Sequence, residues 1–289
     1  MASTQAAARP EIHRTVTTTG LDVVEQPLSG WARLYDNGAV RKTVLLVVLA
    51  LVWELYARWL GNPLLFPTFS ATVAALLSAI ASGELPSAAA YTISLLLKGY
   101  VAGLVLAALL TAFASATRVG ADLLETLTSM FNPLPSIALL PLALIWLGLG
   151  DGSVIFVLIH AVLWSVALNT FSGFKALSPT LKMVGQNYGL SRLGYICRIL
   201  IPGAFPSILT GLKIGWAFAW RTLIAAELVF GVSSGTGGLG WYVFENKNQL
   251  LIPETFAGLL TVIVFGLLVE NLIFRSIENR TVRRWGMQT

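Results

Sequence analysis

Apolar residues in this chain fall into runs too long for the core helices of a soluble domain, with short polar stretches between them. Six such runs cover residues 43–60, 91–115, 124–149, 153–171, 207–230 and 256–274. A helix needs about 20 predominantly apolar residues to cross a bilayer. The pattern therefore predicts an all-α polytopic membrane protein with six transmembrane helices. Pro133, Pro135 and Pro141 fall in the third run, which predicts a kinked or broken helix there. Between the first two runs, residues 62–90 are expected to stay outside, with a short amphipathic helix over 68–80 at the membrane surface. The fourth and fifth runs are separated by a basic stretch, Phe171 to Ile208, holding Lys175, Lys182, Arg192 and Arg198 and no acid. It reads as short amphipathic helices broken at Gly189, Pro202 and Pro206.

Charge orients these spans. Only 11% of the 289 residues are charged and 56% are hydrophobic, against roughly 25% charged in a soluble protein. The net charge of +5 needs no nucleic acid to explain it, because basic residues collect on the cytoplasmic side of membrane proteins. With the basic stretch inside, both termini are cytoplasmic. The outer segments then hold Glu84, Asp151, Glu245 and Glu254 against Lys247. The inner loop and C-terminal tail hold eight basic residues against Glu278. Residues 1–40 read as a polar cytoplasmic tail without the apolar core of a cleaved signal peptide, in which Trp31 to Tyr35 touch the membrane surface. The membrane domain runs over 41–275 with the basic segment at 173–206, and 276–289 form a second cytoplasmic tail. Lys98 is the alternative end of the second run.

Little chemistry is available to such a chain. Cys197 is the only cysteine, so no internal disulfide forms, and His13 and His160 are too few for a histidine-rich metal site. No zinc-protease, CxxC or phosphate-loop motif occurs, so any ATP would be hydrolysed by another chain. The glycine-rich residues 233–240 follow a span, not a strand, and fit a tight re-entrant or gate-forming turn rather than a phosphate loop.

Charges inside spans are costly and need a partner or a use. Glu54 and Arg58 are four apart and form a local pair. From a rise of about 1.5 Å per residue, Lys98 and His160 lie about 10 Å, and Arg221 about 14 Å, from the outer ends of their helices. Three donors at similar depth in three helices suit a small anion. Snorkelling, or pairing with Glu54 or Glu227, is the competing reading. Trp164, Trp216 and Trp220 line a path for an aromatic or apolar tail, or else pack the bundle.

The basic stretch resembles the signature loop of permease subunits of ATP-binding cassette importers: EAA, three residues, Gly, nine residues, Ile-x-Leu-Pro. Aligned on Gly189, the chain has Met183, Val184 and Gly185 at the EAA positions and Ile199, Leu200, Ile201 and Pro202 at the end. Gly, Ile and Pro match; Met replaces Glu. NPLPSIALLPLALIWLGLGDGSVIF (132–156), AWRTLIAAEL (219–228) and GGLGWYVFE (237–245) resemble the permeases for nitrate, taurine and aliphatic sulfonates, with relatives for aromatic carboxylates and pyrimidine precursors.

That resemblance implies a type I importer fold in the bacterial inner membrane. A second permease copy, two ATP-binding subunits carrying ATP and Mg, and a periplasmic solute-binding protein would complete the complex, with no cofactor and no catalysis in this chain. Lys182, Met183, Val184, Gly185, Gly189, Ser191, Arg192, Ile199 and Pro202 would form the coupling to the ATPase. Lys98, His160, Trp164, Trp216, Trp220, Arg221 and Glu227 would line the path for a small anion: a sulfonate, taurine, nitrate or an aromatic carboxylate. A secondary transporter of an organic anion and a non-transporting scaffold or receptor are the alternatives.

Overall fold

Helices account for all the regular structure among the described residues, which in this computed structural model are 35–230, 237–284 and 286. The side chains of Lys182, Gln186, Arg192, Leu193 and Phe230 also fall outside the description, as do the polar tail over 1–34 with Trp31 and most of the glycine-rich turn, 233–236. Contacts divide the chain into residues 1–50 and residues 51–289. In the first unit the Arg41 guanidinium donates to the Tyr35 carbonyl at 2.5 Å and lies over the Tyr35 ring at 5.7 Å.

The elements in order are α1 (Gly38–Leu60), α2 (Phe69–Ala81), α3 (Glu84–Ala116), α4 (Arg118–Phe131), a 3-10 turn (Ser136–Leu139), α5 (Leu140–Leu147), α6 (Asp151–Ala176), α7 (Pro179–Asn187), α8 (Arg192–Tyr195), a π turn (Ile196–Leu200), α9 (Ile201–Gly203), α10 (Phe205–Phe230), α11 (Leu239–Asn248), α12 (Ile252–Leu268), a second π turn (Val269–Phe274) and α13 (Arg275–Arg280). Gly38–Leu60, Glu84–Ala116, Asp151–Ala176 and Ile252–Arg280 are long and apolar enough to cross a membrane, giving four spans. Two bent pairs raise the number to six if each is one span. They are Arg118–Phe131 with Ser136–Leu147, bent by 89°, and Ile196–Gly203 with Phe205–Val229, bent by 69°.

The chain is thus an all-α polytopic membrane protein, and the prolines explain both bends. Pro133 and Pro135 follow Asn132 and cannot extend α4, so the chain turns before the helix resumes at Ser136. Pro202 offers no N–H to the Arg198 carbonyl. The turn before it widens instead, the N–H of Ile201 donating to the carbonyl of Ile196.

Two boundaries differ from the sequence expectation. The second apolar helix starts at Glu84, not near residue 91, because Gly83 (φ 80°) ends the preceding turn and a first-turn Glu and a Pro86 are both compatible with a helix start. Lys98 is therefore mid-helix. The fourth helix runs on to Ala176, so Gly173 and Phe174, expected to open the basic segment, belong to its last turns. The short amphipathic helix is present as α2, capped by Thr68, whose hydroxyl accepts the N–H of Ala71 at 3.2 Å.

α6 lies between α3 and α10 and carries the core. Lipid tails offer no hydrophobic drive for helix association, so close packing must supply it, and small residues permit that. Gly99 and Gly103 of α3 face Leu158 and Val162, and Gly211 and Gly215 of α10 face Asn169 and Val166. A Cβ on Gly99 would sit 2.5 Å from the Leu158 Cβ, and one on Gly103 would sit 2.7 Å from the Val162 Cβ. Elsewhere in the second unit, Trp53 packs on Phe66, Phe69 and Phe256 at 5.5–5.7 Å between ring centres.

Candidate functional site

The break at residues 132–135 and the packing of α6 against α10 together shape one cavity of about 350 Å³. Phe131 ends α4 on one side of the break and Ser136 restarts the chain on the other. α6 contributes His160 and Trp164, four apart on one face. α10 contributes Phe218 and Arg221, three apart on one face. The Phe131 and Trp164 rings stack, with centres 5.3 Å apart and planes at 15°. His160 stands edge-on to both, at 6.3 and 6.1 Å. Its Nδ1 is 3.1 Å from the Ser136 hydroxyl.

Three polar groups of the residues lining this cavity lack partners among the described residues. His160 Nε2 and Trp164 Nε1 are buried without a hydrogen-bond partner, and Trp164 is only 8% exposed. No carboxylate among the described residues pairs with Arg221. Two other basic residues well inside their helices have partners: Lys98 lies 3.8 Å from Asp151, and Lys213 lies 2.5 Å from Glu278. Glu54, the acid of the first span, pairs with Arg58 at 2.7 Å and accepts the Ser70 N–H.

The sequence candidates therefore separate. His160, Trp164 and Arg221 meet at the cavity. Lys98 does not; it sits beside Asp151, which also accepts the Tyr91 hydroxyl at 2.6 Å. Trp216 and Trp220 lie away from the cavity, about 140° and 100° round α10 from Arg221. Trp216 packs edge-on to Tyr100 and Phe274, and Trp220 packs between two core clusters. Glu227 shares the face of Trp220, seven residues before it, and does not meet Arg221.

Glu227 is 3% exposed and works locally. It accepts the Thr92 hydroxyl at 2.9 Å and the Gly240 N–H at 2.8 Å, while Thr92 accepts the Leu239 N–H at 2.8 Å. The two residues thus satisfy the free N–H groups that open α11. Beyond this node stand Glu84, Glu245 and Glu254 around Tyr242. Burial, and then the carboxylates of Glu84 and Glu254, push the Tyr242 phenol up to about 12, so it stays neutral.

The basic segment folds back on itself. α7 ends at Gly189 (φ 60°), and the Leu190 N–H closes the turn onto the Gly185 carbonyl at 3.2 Å. This left-handed closure of a helix suits glycine. Ser191 then caps α8 through its hydroxyl, which accepts the Gly194 N–H at 3.2 Å. Gly185 is buried, and a Cβ there would meet the Tyr195 ring at 2.5 Å and Ile199 at 3.1 Å. Met183 and Val184 are exposed. Lys182 and Arg192, expected in the same surface, lie outside the described side chains.

Sequence reasoning missed Phe131, Ser136 and Phe218 at the cavity, Thr92 beside Glu227, and Tyr195 behind Gly185. The NPLP break was the available signal for the first two. No short-range pattern links Thr92 to Glu227, which are 135 residues apart.

Residues 99–286 match the family model described as "Binding-protein-dependent transport system inner membrane component". Three relatives illustrate the range. A putative ABC transporter permease protein of Methanocaldococcus jannaschii is 27% identical over 83% of this chain and 90% of its own length. The putative aliphatic sulfonates transport permease protein of Escherichia coli is 30% identical over 75% of this chain and 80% of its own. The taurine transport system permease protein of Escherichia coli is 34% identical over 55% of this chain, which spans only 56% of that relative. Among the described residues no cluster of His, Cys, Asp or Glu is arranged to hold a metal ion. The chain belongs to the family of inner membrane components of binding-protein-dependent transport systems, as an ABC-transporter permease: a multi-pass transport subunit and not a catalyst.

Proposed function

We propose that this permease forms the translocation path of an ATP-driven importer for a small anion, and that the anion passes Arg221. One observation carries the reading. Arg221 lies well inside its helix, pairs with no carboxylate among the described residues, and borders a cavity also lined by His160 and Trp164. A guanidinium in a span needs compensation, and a carboxylate or sulfonate supplies it with matching geometry. The relatives named for taurine and aliphatic sulfonate transport agree with such a cargo.

The complex implied by the family adds the rest. Counting each bent pair as one span gives six, with the basic segment and both termini cytoplasmic by the excess of Lys and Arg there. Residues 1–40 and 276–289 are then tails, with the membrane domain and its coupling segment, 173–206, between them. Two copies enclose the path, a binding protein delivers the anion from outside, and two ATPase subunits, holding ATP and Mg, bind below. Leu181, Val184 and Tyr188 lie on one face of the α7 turn region, at spacings of three and four, and are 40, 39 and 80% exposed. An apolar face of that kind, presented to the cytoplasm, suits a groove on the ATPase.

The test is transport by the intact complex in proteoliposomes. Arg221→Ala is expected to abolish most anion uptake while assembly and basal ATP hydrolysis persist, and Arg221→Lys to restore part of it. Unchanged uptake in both variants removes Arg221 from the path.

A further inference from the structure

We propose that the Arg221 cavity selects an anion carrying a flat, aromatic body over a bare oxyanion or a short aliphatic sulfonate. The inference rests on the anion path proposed above and adds the class of cargo.

The size of the cavity argues first. About 350 Å³ is the room of roughly twelve waters at ~30 Å³ each. A nitrate-like ion with four heavy atoms fills a fraction of it, and pockets of roughly 300 Å³ and upward are the usual size for organic ligands.

The walls argue second. Phe131 and Trp164 stack as a flat double layer, and the His160 ring stands perpendicular to both. Phe218 approaches from α10. Flat rings of this kind bind other flat rings by offset stacking and edge-to-face contact, and offer no such preference to a tetrahedral or trigonal ion.

The third argument is the polar set, whose one guanidinium is that of Arg221. Trp164 is more than nine-tenths buried, and its Nε1 can only donate. When the Ser136 hydroxyl donates to His160 Nδ1, Nε2 carries the ring hydrogen and also lacks an acceptor. Arg221 brings a fork of donors for one acidic headgroup, and beside His160 and Trp164 the other polar side chains of the lining are Asn132, Ser136, Ser165 and Thr222. A guanidinium within a span is costly without an acceptor, so a ligand that brings one gains what the empty site forgoes.

The experiment is calorimetric titration of the full-length chain in lipid nanodiscs with benzenesulfonate, methanesulfonate and nitrate. Benzenesulfonate is expected to bind at least about fivefold more tightly than the other two, the scale of one aromatic contact. Trp164→Phe keeps the flat face and loses the donor, so the ring preference is expected to survive. Phe131→Leu and Trp164→Leu are expected to reduce it, with thermal unfolding of each variant checked against the parent. Arg221→Ala is expected to weaken all three anions alike. Equal affinities for the three, with all of them dependent on Arg221, overturn the aromatic preference and leave the anion path standing. Anion binding that does not depend on Arg221, or no binding at all, overturns the path and this proposal together.

Discussion

The carboxylate of Glu227, near the end of α10, accepts the backbone N–H of Gly240, in the first turn of α11, at 2.8 Å. Thr92 of α3 completes the node by donating to the same carboxylate and accepting the Leu239 N–H. One buried acid thus ties three helices together without a cation. The contact is close enough that a Cβ on Gly240 would sit 2.6 Å from the Glu227 Cβ and 2.7 Å from the Ile224 carbonyl oxygen.

Thr92→Val is expected to destabilise this node by about 1–3 kcal/mol, because it keeps the shape but leaves buried polar groups unpaired. Thr92→Ser keeps the hydroxyl and is expected to lie near the parent. Gly240→Ala is expected to cost as much as Thr92→Val or more, since the near atoms belong to a helix that must itself shift. Thermal unfolding of the purified protein in detergent ranks the three. Equal stability of Thr92→Val and the parent would show that the hydrogen bonds are not needed.

Gly189 gives a second test. Its φ of 60° costs an ordinary residue roughly 1–2 kcal/mol, while Asn tolerates that conformation. Nothing lies within 4 Å of a Cβ built there, so backbone strain and not crowding sets the outcome. Gly189→Asn is expected to support near-parental ATP hydrolysis stimulated by the binding protein, and Gly189→Val to lose most of it. A Val variant as active as Asn would separate this turn from coupling.

Gly185 differs in kind, because there the space is filled. Gly185→Ala is expected to force Tyr195 aside at about 1–3 kcal/mol and to lower stimulated ATP hydrolysis. Adding Tyr195→Ala removes the ring and is expected to recover part of the activity. If the double variant is no better than Gly185→Ala alone, the contact with Tyr195 is not what limits coupling.

These residues also show how far the sequence could be read. Long apolar runs and prolines act locally, so the helices and the bend after Asn132 were legible. Gly189 was legible for the same reason, since a left-handed turn is a property of one residue. The position of Arg221 in its span was legible, but its lack of a partner was not, because that depends on which face of α10 meets α3 and which meets the break. The same rotation sent Trp216, Trp220 and Glu227 away from the cavity, although the family resemblance had placed them along one path with Arg221. Lys98 lies apart from the cavity for a related reason: its helix begins well before the apolar run, and Asp151 lies within reach.

The packing of α3 on α6 gives the most selective prediction. Gly99 meets Leu158 at its Cβ, the atom that every residue except glycine possesses. Gly99→Ala is therefore expected to push the two helices apart and to lower stability by about 1–3 kcal/mol. Trimming the partner to alanine should not help, because Leu158→Ala retains the offending Cβ and adds a cavity costing about 2–5 kcal/mol. Only Leu158→Gly clears the contact, so Gly99→Ala with Leu158→Gly is expected to regain close approach, less about 1 kcal/mol for glycine within a helix. The consequence reaches the cavity, since α6 carries Leu158 on one face and His160 and Trp164 on another. Displacing α6 separates Trp164 from Phe131 and moves His160 and Trp164 relative to Arg221. Gly99→Ala should then weaken anion binding as well as stability, although residue 99 does not line the cavity. Thermal unfolding and anion titration of the same four proteins decide the matter. If Leu158→Ala rescues Gly99→Ala as well as Leu158→Gly does, the helices are not held at the distance that the Cβ contact implies.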